Sequence, residues 1–312
     1  METDNTLVHQ IYGGQYFMEN KKPEKLKGIL PALMTAFKDD ADRSLDCGKI
    51  KKHCANLADS GVNGLYVGGS SGEMVLMSVA ERKALLEAVM EAVEGRNMTV
   101  IAHVGTMSTV DTLDLARHAE SVGADALSSV TPLYYKYSVR EVMYYYQRIA
   151  AETALPVIIY NIPALTGLTL NKDQLGELLS IPNVGGMKFT ASDFFQLERL
   201  RTDFPDKIFY NGSDEMLLSG LAAGADGGIG TTYNFMPEKI VRIYNEFKAG
   251  NFTEALKVQS EANRIIERIL KHGVLPSSKY LMKLRGMEYG SCREPFMPLT
   301  AEAVADLSAV QF

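Results

Sequence analysis

Cysteine is scarce in this sequence of 312 residues, which has only Cys47, Cys54 and Cys292. An odd, scattered set of this kind supports neither a disulfide framework nor a cysteine-based metal site. It is typical of a protein from a reducing compartment, so we expect a cytoplasmic location. The five histidines are also scattered. Only His103 falls near the end of a predicted strand, and no ligand set converges with it, so we expect no metal site.

Long apolar runs and an excess of positive charge are missing as well. No stretch approaches about 18 uninterrupted apolar residues, so a membrane-spanning helix is not expected. The first five residues lack the basic and apolar regions of a signal peptide. A formal net charge of −6 and a pI near 5.5 argue against a surface that binds nucleic acid or anionic membrane. We therefore expect neither as a partner.

The composition is that of a soluble globular protein with a sizeable core, with 46% hydrophobic and 22% charged residues. A regular alternation of short apolar segments and amphipathic segments begins near residue 26. The predicted strands span 29–37, 62–67, 99–104, 124–130, 156–160, 184–189, 207–210 and 225–229. The predicted helices that follow them span 46–60, 78–94, 108–122, 138–152, 171–179, 194–202, 215–223 and 238–248.

Eight such units predict an α/β fold of the (β/α)8 TIM barrel type. Beyond residue 250 the pattern is all helical, with predicted helices at 253–271, 276–284 and 301–310. We therefore expect three domain segments: a poorly ordered arm over 1–25, the barrel over 26–250, and C-terminal helices packed on the barrel over 251–312.

A lysine stands inside one of the apolar segments, since residues 184–190 read Val-Gly-Gly-Met-Lys-Phe-Thr. A charged ammonium is costly to bury, and desolvation favours the neutral amine that attacks carbonyls to form a Schiff base. On this reading Lys188 is a catalytic nucleophile. On the other reading, Lys188 reaches water at the end of its strand or pairs with a carboxylate.

The ends of other predicted strands bring polar groups to the same rim, where barrel enzymes keep their chemistry. The segment Gly68–Glu73 offers backbone N–H groups and two hydroxyls that suit a carboxylate, although an unoccupied glycine-rich turn is the alternative. Tyr160, one strand from Lys188, is either a proton relay or a core tyrosine. Asp214 and Glu215 either bind substrate hydroxyls or form a helix N-cap with its first turn, and both roles can coexist.

Six tyrosines between residues 134 and 146 favour packing and subunit contact over a binding platform. Tyr134 is the exception, because it lies directly at the end of the fourth predicted strand.

Four segments together resemble the pyruvate-dependent class I aldolase family of dihydrodipicolinate synthase and N-acetylneuraminate lyase. They are Gly69–Glu73, Tyr160–Pro163, Gly186–Lys188 and Gly227–Gly230. The resemblance covers residues 26–310. It implies a class I (Schiff-base) aldolase that uses neither a metal nor a dissociable cofactor, and a subunit of a homotetramer.

Within this family, three segments are more similar to the lyases than to the synthases. After Pro163 the chain has Ala164 and Leu165, where the synthases usually place an arginine for a second carboxylate. Residues 210–215 resemble the lyase segment that holds the hydroxyl chain of the sugar, and 230–234 resemble one in which a serine contacts that chain. Thr231 stands in place of that serine, and Ser71 stands where threonine is commoner.

The resemblance implies retro-aldol cleavage of N-acetylneuraminate to N-acetylmannosamine and pyruvate through an imine on Lys188. Ser70 and Ser71 would hold the substrate carboxylate, and Tyr160 would take the proton from the C4 hydroxyl. Tyr134 would enter the site of a neighbouring subunit and form a proton relay with Ser70. The residues implied to bind the hydroxyl chain are Thr190, Gly212, Asp214, Glu215 and Thr231.

Two other functions remain open at this point. A 2-keto-3-deoxy sugar acid aldolase or a dihydrodipicolinate synthase of the same family would share Lys188 and Tyr160, so only the hydroxyl-binding residues argue against it. A non-catalytic barrel that senses a 2-keto acid is more remote, because a sensor has no need of the amine.

Overall fold

The computed structural model describes residues 24–312, so residues 1–23 of the predicted arm lie outside the described residues. Eight parallel strands form one sheet in the order β1-β8-β7-β6-β5-β4-β3-β2. The strands are β1 (Gly28–Pro31), β2 (Gly64–Val67), β3 (Thr99–His103), β4 (Ala126–Val130), β5 (Val157–Asn161), β6 (Val184–Phe189), β7 (Ile208–Asn211) and β8 (Gly227–Gly230). The predicted (β/α)8 barrel is confirmed.

The barrel closes just beyond β1. Ala32 forms a parallel bridge with Tyr66, and the Leu33 N–H donates to the Tyr66 carbonyl at 2.8 Å. The prediction that the first strand runs to residue 37 is wrong, because β1 ends at Pro31. From there the backbone divides its hydrogen bonds, since Ala32 still donates to Gly230 of β8 while Leu33 turns to β2. The chain therefore leaves the β-sheet where the first and second strands meet to close the barrel.

Twelve α-helices surround and extend the barrel in the described part of the chain. They are α1 (Cys47–Asp59), α2 (Val79–Val93), α3 (Thr109–Ser121), α4 (Val139–Glu152), α5 (Pro163–Thr166), α6 (Lys172–Leu179), α7 (Phe194–Asp203), α8 (Leu217–Ala222), α9 (Pro237–Lys248), α10 (Phe252–His272), α11 (Val274–Leu284) and α12 (Ala301–Ser308). Ser78 begins α2 with the predicted capping box, in which its side chain and that of Glu81 bond each other's backbone N–H. The predicted helix 215–223 is instead a 3-10 turn, Asp214–Met216, followed by α8.

Two apolar layers hold the barrel. The interior layer includes Leu30, Ile158, Ile208 and Ile229, and the larger outer layer packs the strands against the helices. Side chains of a strand alternate between the two layers because successive residues point to opposite faces. In β6, Met187 and Phe189 belong to the outer layer. The intervening residue, Lys188, therefore points into the barrel.

The predicted C-terminal extension of three helices is confirmed as α10, α11 and α12. Helix α10 lies along α9 and also contacts α8, α11 and α12. Its apolar side chains, such as Val258 and Ile266, join the outer core. The domain boundary at residue 250 stays a prediction.

Within residues 24–312, no helix has both the length and the apolar character needed to cross a membrane.

Candidate active site

Lys188 is 4% exposed and lies in β6 between two other strands that carry tyrosines. Its register partners are Tyr160 of β5 and Tyr210 of β7. The Lys188 Nζ lies 4.0 Å from the centroid of the Tyr160 ring and 4.9 Å from that of Tyr66. Both rings face the amine, so a positive charge on this nitrogen is stabilised by two aromatic faces. The alternative of an exposed lysine is wrong, and no carboxylate in the described chain pairs with Lys188.

His103, at the end of β3, packs edge-on against Tyr160 with ring centroids 6.2 Å apart. Burial lowers the pKa of His103 well below its usual value, and the cations Arg82 and Lys188 lower it further. The ring is therefore neutral. Its Nε2 accepts a hydrogen bond from the Val130 N–H at 3.1 Å, which assigns the ring proton to Nδ1. The ring supports Tyr160 and does not titrate near neutral pH.

Arg82 of α2 is buried below the turns that follow β2 and β3. Its Nη1 donates to the Gly105 carbonyl at 2.8 Å, and its Nη2 donates to the His103 carbonyl and, at 3.5 Å, to that of Gly68. Burial lowers the pKa of Arg82 to about 10, so the guanidinium stays charged at neutral pH. Within residues 24–312 no carboxylate forms an ion pair with it. Arg82 thus fixes the start of the glycine-rich segment through backbone carbonyls.

That segment follows β2 and forms a 3-10 turn, Ser70–Gly72. Ser71 is buried, and its hydroxyl lies 2.6 Å from that of Thr231 at the end of β8. A side chain at Gly69 would place its Cβ 2.5 Å from the Tyr66 ring, so only glycine fits this close approach. The turn therefore lies against the same tyrosine that faces the Lys188 amine.

Gly212, just after β7, keeps open the space beside the amine. A Cβ there would lie 1.9 Å from the Thr190 Oγ1 and 3.1 Å from the Lys188 Cε. The buried Thr190 hydroxyl has no hydrogen-bond partner within the described chain. An unpaired buried hydroxyl is costly, so this oxygen is suited to meeting a polar substrate.

Asp214 is buried, and its Oδ2 accepts hydrogen bonds from both the N–H and the hydroxyl of Thr232, each at 2.7 Å. Burial raises the pKa of Asp214 to about 6, although the two Thr232 bonds act in the opposite direction. The side chain does not cap its own turn, which begins at Ser213 without a side-chain cap. The reading of Asp214 as a helix N-cap is therefore wrong, because the carboxylate bonds the neighbouring β8 loop instead.

Glu215 is half-buried in the same turn. Two side chains of α10 hold this turn from behind. The Gln259 Nε2 donates to the Asp214 carbonyl at 3.2 Å, and the Asn263 Nδ2 donates to the Glu215 carbonyl at 3.0 Å. A helix of the C-terminal extension thus positions both carboxylates.

Tyr134 lies apart from the other predicted residues. Its side chain is 86% exposed, whereas Tyr160 is 3% exposed. Its backbone φ is +79°, a conformation that costs energy for any residue other than glycine. Tyr134 also packs edge-on against Tyr135, which is exposed too. One chain alone therefore does not bring Tyr134 to Lys188.

The structure thus gathers most of the predicted residues through direct contacts or shared turns. These are Ser70, Ser71, Tyr160, Lys188, Thr190, Gly212, Asp214, Glu215 and Thr231. Tyr66, Arg82 and His103 were not predicted as site residues. Tyr66 and His103 occupy strand positions like those of ordinary core residues, and Arg82 is a charged residue in an amphipathic helix. Only their three-dimensional partners distinguish them.

Among the described residues, no three His, Cys, Asp or Glu side chains are grouped to hold a metal ion.

Comparisons with known proteins were made for the whole chain. A sequence model of the dihydrodipicolinate synthetase family matches residues 25–310. The N-acetylneuraminate lyase of Rhizobium meliloti (strain 1021) is 47% identical over 288 residues, covering 92% of this chain and 94% of that protein. That of Citrobacter koseri is 40% identical over 287 residues, covering 91% and 96%.

Two solved structures are also similar to this chain. CdNal from Clostridium difficile in complex with mannosamine superposes with a TM-score of 0.87 at 37% identity, covering 91% of this chain and 97% of that one. The catalytic lysine mutant of Ruminococcus gnavus sialic acid aldolase has a TM-score of 0.87 at 34% identity, covering 92% and 96%.

Proposed function

The chain belongs to the dihydrodipicolinate synthetase family, and we propose that it cleaves N-acetylneuraminate to N-acetylmannosamine and pyruvate through an imine on Lys188. The observation that carries the proposal is the buried Lys188 amine, held 4.0 Å from the Tyr160 ring centroid at the mouth of the barrel. The N-acetylneuraminate lyases among its relatives support the choice of substrate.

In the first stage the amine attacks C2 of the keto acid. Ser70 and Ser71 bind the substrate carboxylate, with the positive charge of Arg82 close behind their turn. Loss of water from the carbinolamine gives an iminium ion at Nζ. This cation withdraws electrons from C3, which makes the C3–C4 bond breakable.

In the second stage Tyr160 takes the proton of the C4 hydroxyl, and the C3–C4 electron pair moves into the iminium ion. N-acetylmannosamine leaves as the aldehyde, and an enamine remains on Lys188. Protonation at C3 and hydrolysis by water then release pyruvate and restore the amine. No metal or dissociable cofactor takes part in this sequence.

The hydroxyl chain of the sugar lies along the rim formed by β6, β7 and β8. The unpaired Thr190 hydroxyl, the Gly212 carbonyl and the carboxylates of Asp214 and Glu215 supply its hydrogen-bonding groups, together with Thr231. An arginine for a second carboxylate is not present at Ala164 or Leu165. This favours a polyol substrate over that of a synthase.

We also propose a cytoplasmic homotetramer. The three unpaired cysteines are compatible with a reducing compartment. The exposed Tyr134 and its unusual backbone conformation support insertion into the site of a neighbouring subunit. Light scattering coupled to gel filtration measures the oligomeric state, and Tyr134→Phe should lower kcat if the phenol relays a proton across the interface.

The test of function combines borohydride trapping with a product assay. Incubation with pyruvate and borohydride, followed by peptide mass mapping, should place a pyruvate-derived adduct on Lys188. N-acetylneuraminate should release pyruvate, and Lys188→Arg should abolish both signals without unfolding the protein. An adduct on Lys188 without pyruvate release from N-acetylneuraminate would retain the imine chemistry but overturn the assignment of N-acetylneuraminate as substrate. Absence of the adduct would overturn the mechanism.

A further inference from the structure

Tyr66 is a buried tyrosine that lies against both Lys188 and Gly69, and no step of the proposed reaction has yet been assigned to it. Its ring is 1% exposed, and its centroid lies 4.9 Å from the Lys188 Nζ. It also packs edge-on against Tyr160, with centroids 6.1 Å apart and an interplanar angle of 82°. It also lies close to Gly69, the residue before the Ser70–Gly72 turn, where a Cβ would come within 2.5 Å of the ring.

The hydroxyl of Tyr66 is committed to a structural hydrogen-bond chain. It donates to the Ser128 hydroxyl at 3.0 Å, and Ser128 in turn donates to the Ile158 carbonyl at 2.8 Å. Its single proton therefore points away from the amine. Burial also raises the pKa of Tyr66 well above its usual value. An acid–base role for this phenol does not fit these contacts.

What Tyr66 does offer to the reacting nitrogen is the face of its ring. We propose that Tyr66 is a further catalytic residue, whose π face stabilises the iminium ion formed on Lys188 from beside the Tyr160 ring. The inference rests on the proposed imine chemistry. A cation over an aromatic face is attracted by the negative charge density of the ring, and the attraction grows where water is excluded.

The contact with Gly69 adds a geometric role. Because the ring touches the backbone that leads into the Ser70–Gly72 turn, it sets the separation between the carboxylate-binding hydroxyls and the amine. The carboxylate and keto carbon of a 2-keto acid are adjacent atoms, so this separation must be closely held. The Ser128 bond keeps the ring in one orientation for both contacts.

The test separates the charge effect from packing by fluorinating the ring. Tyr66→Phe should retain imine formation within about 3-fold of the wild type, because it keeps the π face and loses only the Ser128 bond. Mono-, di- and trifluorinated phenylalanine at position 66 should then weaken pyruvate imine formation stepwise. We expect a total loss of roughly 10-fold, since fluorine removes the charge density that attracts the cation while barely changing ring size.

The matched control is the same fluorinated series at Tyr146, which is fully buried and donates its hydroxyl to the Ser129 carbonyl at 2.8 Å. That series should leave imine formation unchanged. A stepwise loss at position 66 alone supports the proposal.

Equal trapping across the position-66 series would overturn the inference and leave the proposed function standing. If imine formation by Tyr66→Leu is no weaker than that of the trifluorinated variant, the result supports the charge effect. If only Tyr66→Leu weakens imine formation, the ring acts through packing alone. Failure of the wild-type enzyme to trap pyruvate would instead overturn the proposed function.

Discussion

The burial of Asp214 moves its pKa from the acidic range toward neutral pH. Its pKa is raised to about 6 because the surrounding protein disfavours the charged form. The folded state therefore holds a proton on Asp214 between about pH 4 and pH 6, where the unfolded chain has already lost it. It follows that this residue makes the protein less stable as pH rises through that window.

Asp214→Asn should make the protein more stable at pH 7.5, by roughly 1 to 3 kcal/mol, because it removes the buried charge and keeps an acceptor for Thr232. Thermal unfolding of both proteins from pH 4 to pH 8 measures the difference, which should shrink toward pH 4. A variant that is equally destabilised at every pH would contradict the assigned burial effect.

The same change should impair use of the sugar acid. In the wild type, KM for N-acetylneuraminate should rise as pH falls below about 6, since the protonated carboxyl loses acceptor capacity. Asp214→Asn should show a high KM with no such dependence. Pyruvate trapping on Lys188 is the control and should be unchanged, because we propose that Asp214 binds the hydroxyl chain, which pyruvate lacks.

At the scale of elements, helix α10 supports the turn that carries Asp214 through the side chain of Gln259. Gln259 is 5% exposed and makes two backbone contacts, donating to the Asp214 carbonyl at 3.2 Å and accepting from the Leu218 N–H at 3.1 Å. The turn that carries Asp214 and Glu215 therefore depends on a side chain some 45 residues later in the chain.

Gln259→Met should raise KM for N-acetylneuraminate about 10-fold, because a methionine of similar length removes the bond to the Asp214 carbonyl, leaves the Leu218 N–H without Gln259 and loosens the turn. The imine with pyruvate should form normally. Lys257→Met on the exposed face of the same helix is the matched control and should match the wild type. Equal KM values for all three proteins would show that α10 does not position the turn.

At the scale of the whole molecule, a buried ion pair joins the barrel to its C-terminal extension. Glu73, next to the Ser70–Gly72 turn, lies 2.8 Å from the Lys279 Nζ of α11, and both side chains are almost completely buried. Arg293 also donates its backbone N–H to Glu73 at 2.8 Å. The extension thus contacts the residue that follows the Ser70–Gly72 turn from outside the barrel.

Lys279→Met should lower the free energy of unfolding by about 3 to 5 kcal/mol, because it leaves the Glu73 carboxylate buried without its cation. The double variant Glu73→Gln with Lys279→Met should recover much of this loss. Calorimetric melting of the single and double variants measures both effects. An unchanged melting temperature for Lys279→Met would show that the pair contributes nothing to the attachment of the extension.

The strand-and-helix pattern was determined by the sequence itself, and so was the choice of Lys188 as the candidate nucleophile. Eight apolar segments with amphipathic partners suffice for a barrel, because period and burial are local properties of the chain. Lys188 was recognisable because a lysine in an apolar strand is unusual whatever surrounds it. The serines, the tyrosine and the acidic pair were predicted as site residues because barrel enzymes place their chemistry at the ends of strands.

Only the tertiary structure decided which groups meet. Three features depend on residues that are far apart in sequence. The Tyr66 ring faces the Lys188 amine, burial raises the pKa of Asp214, and Gln259 supports the turn that carries Asp214. Such contacts depend on side-chain direction and on distances of a few ångströms, neither of which the periodicity of a sequence encodes. The sequence thus specified the elements and the reactive groups, and packing set their distances and charges.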